Sequence, residues 1–128
     1  MNKEAFEAVI STNLTSAFLT LSIAGKAMLS QGHGRMVFMS SVAGSLGLVN
    51  HEAISAAKGG IESMVRSAAA TYANRGLRIN AVAPGLTDTK LASPIMSNET
   101  ASQAASQKIP IKRESSVKLL VKLFHLTL

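Results

Sequence analysis

Two short apolar runs on either side of one long helical pattern constrain this chain more than any other feature. Arg35 to Ser40 reads Arg-Met-Val-Phe-Met-Ser, and Leu77 to Val82 ends at Ala83-Pro84-Gly85. Each has the length and β-branched or aromatic content of a strand, and the continuous apolar centre of the first suits burial on both faces. Between them, Glu52 to Ala73 carries the helical period and stops at Asn74-Arg75-Gly76. Strand, crossover helix and strand form a βαβ unit, which requires a parallel sheet with helices on its faces. Two strands leave both sheet edges open, so further strands are expected on other chain or on a partner.

The rest of the pattern fits this α/β class. Phe6, Val9, Ile10, Leu14, Ala17, Phe18, Leu21, Ala24 and Met28 recur at helical spacing and predict one long helix over 4–31, closed by Gly32 and Gly34. Ser41 to Asn50, with Gly44 and Gly47, reads as a loop leaving the first strand, and Asn50 is placed to cap the second helix. That helix has a small-residue face of Ala53, Ala56, Ala57 and Gly60, which allows close backbone approach. Gly85 to Gln107 is weakly periodic and reads as a loop or loose helical lid, and the basic amphipathic stretch from Glu114 reads as a final helix.

Composition narrows the function classes. The net charge of +6 is concentrated at one end: residues 1–107 hold eight Lys and Arg against six Asp and Glu, while 108–128 hold five against one. With a nearly balanced body and few aromatics, no nucleic-acid partner is expected. The chain has no cysteine, which removes disulfides and thiolate metal sites, and no metal site is read. The N-terminus is polar and acidic, and the apolar segments 17–29 and 119–128 fall short of the ~20 residues that span a bilayer, so a cytoplasmic chain without a membrane partner is expected.

In an open parallel sheet ligands bind beyond the carboxyl ends of the strands, which places Ser40-Ser41 and Pro84-Gly85 where chemistry is expected. Ile54 and Lys58 lie one turn apart on one face of the helix between the strands. The strings Gly34-Arg35-Met36-Val37-Phe38-Met39-Ser40-Ser41-Val42-Ala43-Gly44, Ser55-Ala56-Ala57-Lys58-Gly59-Gly60 and Arg78-Ile79-Asn80-Ala81-Val82-Ala83-Pro84-Gly85 resemble the short-chain dehydrogenase/reductase family in order and spacing. The resemblance covers about residues 4–113 and implies the C-terminal portion of a doubly wound, Rossmann-like domain, followed by a divergent basic tail over 114–128.

The resemblance also implies roles. Asn13, Ser41 and Lys58 match the family's catalytic asparagine, serine and lysine, and Lys58, Pro84, Gly85 and Thr89 match its contacts to the nicotinamide end of NAD or NADP. The family's chemistry interconverts a small-molecule carbonyl and an alcohol. Its serine holds the substrate oxygen, and its lysine lowers the pKa of a tyrosine that moves the proton. Ile54 stands at the tyrosine position, thirteen residues after Ser41. Isoleucine transfers no proton. His51 and Ser55 are the nearby polar residues, although neither shares the direction of position 54, and His51 reads equally as an ordinary residue beside a helix N-terminus.

Two further departures stand beside Ile54. No glycine-rich turn for a cofactor pyrophosphate occurs, so this chain alone is not expected to hold NAD(P) tightly. After Ile109-Pro110-Ile111-Lys112-Arg113 the family's glycine, proline and Glu-Val-Ala run does not follow. The expected function is an incomplete, inactive oxidoreductase chain, with a non-catalytic interaction module as the alternative. The resemblance implies a homo-oligomer built through the helices at 4–31 and 52–73.

Overall fold

The computed structural model describes residues 1–90, 92–93, 97–99, 103 and 116–127. Helix α1 (Lys3–Ile10) starts at Asn2, whose side chain accepts from the Ala5 N–H. It passes through a π turn, Ser11–Thr15, into α2 (Ser16–Gln31). Strand β1 (Gly34–Met39) leads through a short 3₁₀ turn, Val42–Gly44, to α3 (Glu52–Tyr72). A second 3₁₀ turn, Ala73–Arg75, precedes β2 (Leu77–Val82), and α4 (Val117–Thr127) is the final helix expected from the tail. Residues 91, 94–96, 100–102 and 104–107 of the expected lid over 85–107, and all of 109–113, lie outside the described residues.

β1 and β2 pair in parallel with Gly34 opposite Leu77 and Met39 opposite Val82. The crossover through α3 is therefore the βαβ unit expected. The core is formed by Met36 and Phe38 from β1, Leu77 and Ile79 from β2, and Ile61, Val65 and Ala68 from α3. Removing each large aliphatic side chain from water contributes roughly 1.5–3 kcal/mol, so this small set carries most of the unit's favourable burial. Leu14, Ala17, Leu21, Ala24 and Met28 bring the first helix onto the same core.

Four local expectations are corrected. β1 is buried on one face only: Met36 and Phe38 are inside, whereas Arg35 and Met39 are exposed. The apolar run did not require two covered faces, since one alternating set of residues fills the core. Asn50 is not a helix cap. It adopts a left-handed φ of 60°, which asparagine tolerates better than most residues, and His51 precedes the first turn without a side-chain cap. The small-residue face is split: Ala53 and Ala57 are buried within this chain, while Ala56 is exposed.

The fourth correction concerns the long first helix, which the periodicity predicts as uniform. Asn13 Nδ2 donates to the Val9 carbonyl at 3.0 Å, and Ser16 Oγ donates to the Thr12 carbonyl at 2.6 Å. Side chains that take carbonyls of the preceding turn compete with the backbone ladder, and the helix widens here into its π turn. From Lys3 to Gln31 the combined helix is, by length and composition, long and apolar enough to cross a membrane. One of its faces is nonetheless packed on the core, and Phe18, Leu19 and Ile23 remain exposed.

Candidate active site

The carboxyl end of β1 and the first half of α3 meet through small residues. A Cβ placed at Gly44 falls 2.8 Å from the Gly59 nitrogen and 2.9 Å from the Lys58 carbonyl carbon, so the loop touches the α3 backbone only because no side chain stands there. This contact puts Ser41 beside the turn of α3 that carries Lys58. Ser41 has an extended backbone and opens the 3₁₀ turn, its Oγ accepting from the Ala43 N–H at 3.2 Å. The hydroxyl is the acceptor in that bond, so its own proton takes no part in it.

Lys58 reaches back to the same strand end. Its Nζ donates to the Met39 carbonyl at 3.0 Å. Burial lowers the pKa of this lysine from its ordinary value, because the charged ammonium loses water when it lies against the strand. Ile54 is half-buried one turn earlier on α3. Asn13 sits at the middle of the π turn and bonds within its own helix, while its neighbour Leu14 packs against α3 at Gly60. His51 directs Nδ1 to the Val49 carbonyl at 2.7 Å, which ties its ring to the loop.

Pro84, Gly85 and Thr89 belong to a second compact unit, Pro84–Leu126. Within it, Thr87 Oγ1 donates to the Gly85 carbonyl at 3.1 Å, and Thr89 Oγ1 accepts from the Ala92 N–H at 3.3 Å. The first unit thus brings Ser41, Lys58 and the Ile54 position to one strand end, with the Asn13 turn packed on the same helix.

One participant, Glu62, escapes the sequence reading. Ser40, buried directly before Ser41, places its Oγ 2.8 Å from Glu62 Oε1 and 3.1 Å from the Lys58 carbonyl oxygen. Ser45 Oγ lies 2.9 Å from Glu62 Oε2 and 3.2 Å from Oε1. Glu62 follows Lys58 by one turn, a spacing that reads as an ordinary i,i+4 ion pair. The lysine instead takes the strand carbonyl and the carboxylate takes two serines. The available signal was a lone acid on the α3 face that meets a serine-rich loop.

A family model described as enoyl-(acyl carrier protein) reductase matches residues 1–123. The chain belongs to the short-chain dehydrogenase/reductase family. Curated members of this family similar to it include cis-4-hydroxycyclohexanecarboxylate dehydrogenase of Sinomonas cyclohexanicum, 42% identical over 82% of this chain and 42% of that protein. The 3-oxoacyl-[acyl-carrier-protein] reductase MabA of Mycobacterium bovis is 40% identical over 88% of this chain and 45% of its own length. Among solved structures, the TT0495 protein from Thermus thermophilus superposes with a TM-score of 0.93 at 26% identity, over 99% of this chain and 54% of that one. A gluconate 5-dehydrogenase from Burkholderia cenocepacia, in complex with NADP and tartrate, shares the fold with a TM-score of 0.87 at 23% identity, over 91% and 46% of the two chains. This short-chain dehydrogenase/reductase chain therefore spans about half the length of the relatives it matches.

Proposed function

We propose that the chain carries the active-site portion of an NAD(P)(H)-dependent carbonyl/alcohol oxidoreductase, with the proton-transfer position disabled by Ile54. The observation that supports this most is Lys58 Nζ on the Met39 carbonyl, which sets the lysine at the strand end beside Ser41. An ammonium has three donors, and that bond uses one. The remaining two suit the hydroxyls of a nicotinamide ribose, so Lys58 fits that end of the cofactor; Pro84, Gly85 and Thr89 match the family's cofactor contacts by sequence alone. A bound nicotinamide would give or take the hydride.

The other end of the cofactor finds less. The described connection from strand to helix at 40–51 holds Gly44 and Gly47, and at Gly44 its backbone is packed against Gly59. In the proposed reaction Ser41 donates its hydroxyl proton as a hydrogen bond to the substrate oxygen and holds it. Lys58 orients the ribose. Asn13 braces the π turn from within, and Leu14 sets that turn against α3. No group at position 54 gives or takes the proton, a deficit of about 10²- to 10⁴-fold in rate for a missing acid/base.

A second reading, a non-catalytic interaction module, is favoured by the exposed Phe18, Leu19 and Ile23 on the long helix. Titrating the chain with NADH and NADPH separates the two readings: tight binding would contradict the interaction module and the expectation that this chain alone does not hold the cofactor tightly. The chemical test grafts the chain onto the cofactor-binding half of a relative and compares Ile54 with Ile54→Tyr. Carbonyl reduction should rise by about 10²- to 10⁴-fold in the tyrosine form. Equal rates in the two forms would show that another group supplies the proton and that Ile54 has been assigned wrongly.

A further inference from the structure

We infer that Glu62 is a positioning residue for Ser41, holding the loop that carries the serine by pinning both of its ends to one carboxylate. This rests on the reading of Ser41 as the group that meets a substrate oxygen. The geometry is specific. Ser40, immediately before Ser41, has one hydroxyl proton, and the nearest of its acceptors is Glu62 Oε1 at 2.8 Å, closer than the Lys58 carbonyl at 3.1 Å. Ser45, four residues after Ser41, lies within reach of both carboxylate oxygens. The carboxylate is therefore a clamp across the turn.

Between the clamped ends, the turn is organised around Ser41 itself. The Ser41 carbonyl accepts from the Gly44 N–H at 2.9 Å, and the Ser41 Oγ accepts from the Ala43 N–H at 3.2 Å. The Val42 carbonyl accepts from the N–H groups of Ser45 and Leu46 at 3.1 and 2.7 Å. Fixing Ser40 and Ser45 fixes this small frame, and the frame fixes the direction of the Ser41 hydroxyl. Hydrogen bonds to a charged acceptor are the stronger kind, and here they join two segments that the backbone connects only through the loop at 46–51. The clamp also ties the Ser41 loop to the helix that carries Lys58, so both groups share one rigid support.

The test needs no turnover, which keeps its failure distinct from failure of the proposed reaction. Nuclear magnetic resonance of the whole chain would follow amide exchange at Ala43 and Gly44 and the Ser41 χ1 couplings, with the Met36 and Phe38 amides, which face β2, as reference. Glu62→Ala should speed exchange in the turn by about tenfold and average the Ser41 rotamer while the strand amides hold. Glu62→Gln, which keeps an acceptor of the same length, should restore the Ser41 rotamer and most of the protection. Unchanged turn amides and couplings in Glu62→Ala would overturn the inference. So would uniform acceleration of strand and turn together, which would make Glu62 a general stabilising residue. Should Glu62→Ala fail to fold, Ser45→Ala removes one clamp alone: faster Gly44 exchange with averaged Ser41 couplings supports the inference, and no change overturns it.

Discussion

Both ends of the β1–β2 pair use a close glycine contact, but only the carboxyl end adds a set of side-chain hydrogen bonds. At the amino ends of the strands, Gly32 and Gly76 adopt left-handed φ values of 77° and 83°, and a Cβ at Gly76 would collide with the Gly32 carbonyl oxygen. That end is closed by backbone against backbone. At the carboxyl ends, Ser40, Ser41, Ser45, Lys58 and Glu62 tie side chains to carbonyls, amides and one another. Backbone contacts set a spacing that only glycine permits, whereas side-chain hydrogen bonds set directions, which is what a substrate oxygen requires. The difference teaches where change should cost stability and where it should cost geometry.

The largest effect is expected at the amino end. Gly76→Ala combines left-handed strain with a backbone collision and should destabilise the chain by about 2–5 kcal/mol in denaturant unfolding. The Ser41 couplings of the fraction that folds should be unaltered. A loss as small as the strain alone would show that the glycine pair is not tightly closed. Gly44→Ala comes next, at about 1–3 kcal/mol, because its Cβ would press on the backbone of Lys58 and Gly59. Here the geometry should move as well, with shifted Ser41 and Lys58 resonances. If stability falls and those resonances stay, the two ends are less different than proposed.

The smallest effect is electrostatic. Burial disfavours the Lys58 ammonium, so its folded pKa lies below the ordinary 10.5. The unfolded chain then binds the proton more tightly, and the stability contribution of this group rises with pH between the lowered pKa and 10.5, without further gain above. An NMR titration of the Lys58 side chain should give the lowered value, and Lys58→Met should flatten the pH dependence over that interval. A titration at the ordinary lysine value would remove the burial argument.

Much of the site was legible because its spacing is local. Ile54 and Lys58 are one helical turn apart whatever packs against them, and Ser41 follows an apolar run that ends where a parallel strand should. Asn13 was legible as a position but not as the centre of a π turn, because hydrophobic period does not report which carbonyl a side chain will take. Asn50 was a plausible cap by type, yet the loop demanded a left-handed residue there and the helix began without a side-chain cap.

The sequence by itself determined the βαβ order, the limits of the two strands and of the helices before and between them to within about a residue, and the one-turn spacing of Ile54 and Lys58. Hydrophobic period, glycine stops and fixed helical spacing are properties of neighbours along the chain. Tertiary structure decided that β1 buries one face, that Ala53 and Ala57 are used inside this chain, and that Glu62 binds Ser40 and Ser45 rather than Lys58. The physical reason lies in competition: a carboxylate and an ammonium one turn apart are natural partners until a second segment arrives. The β1 end then offers a carbonyl to the ammonium and two hydroxyls to the carboxylate.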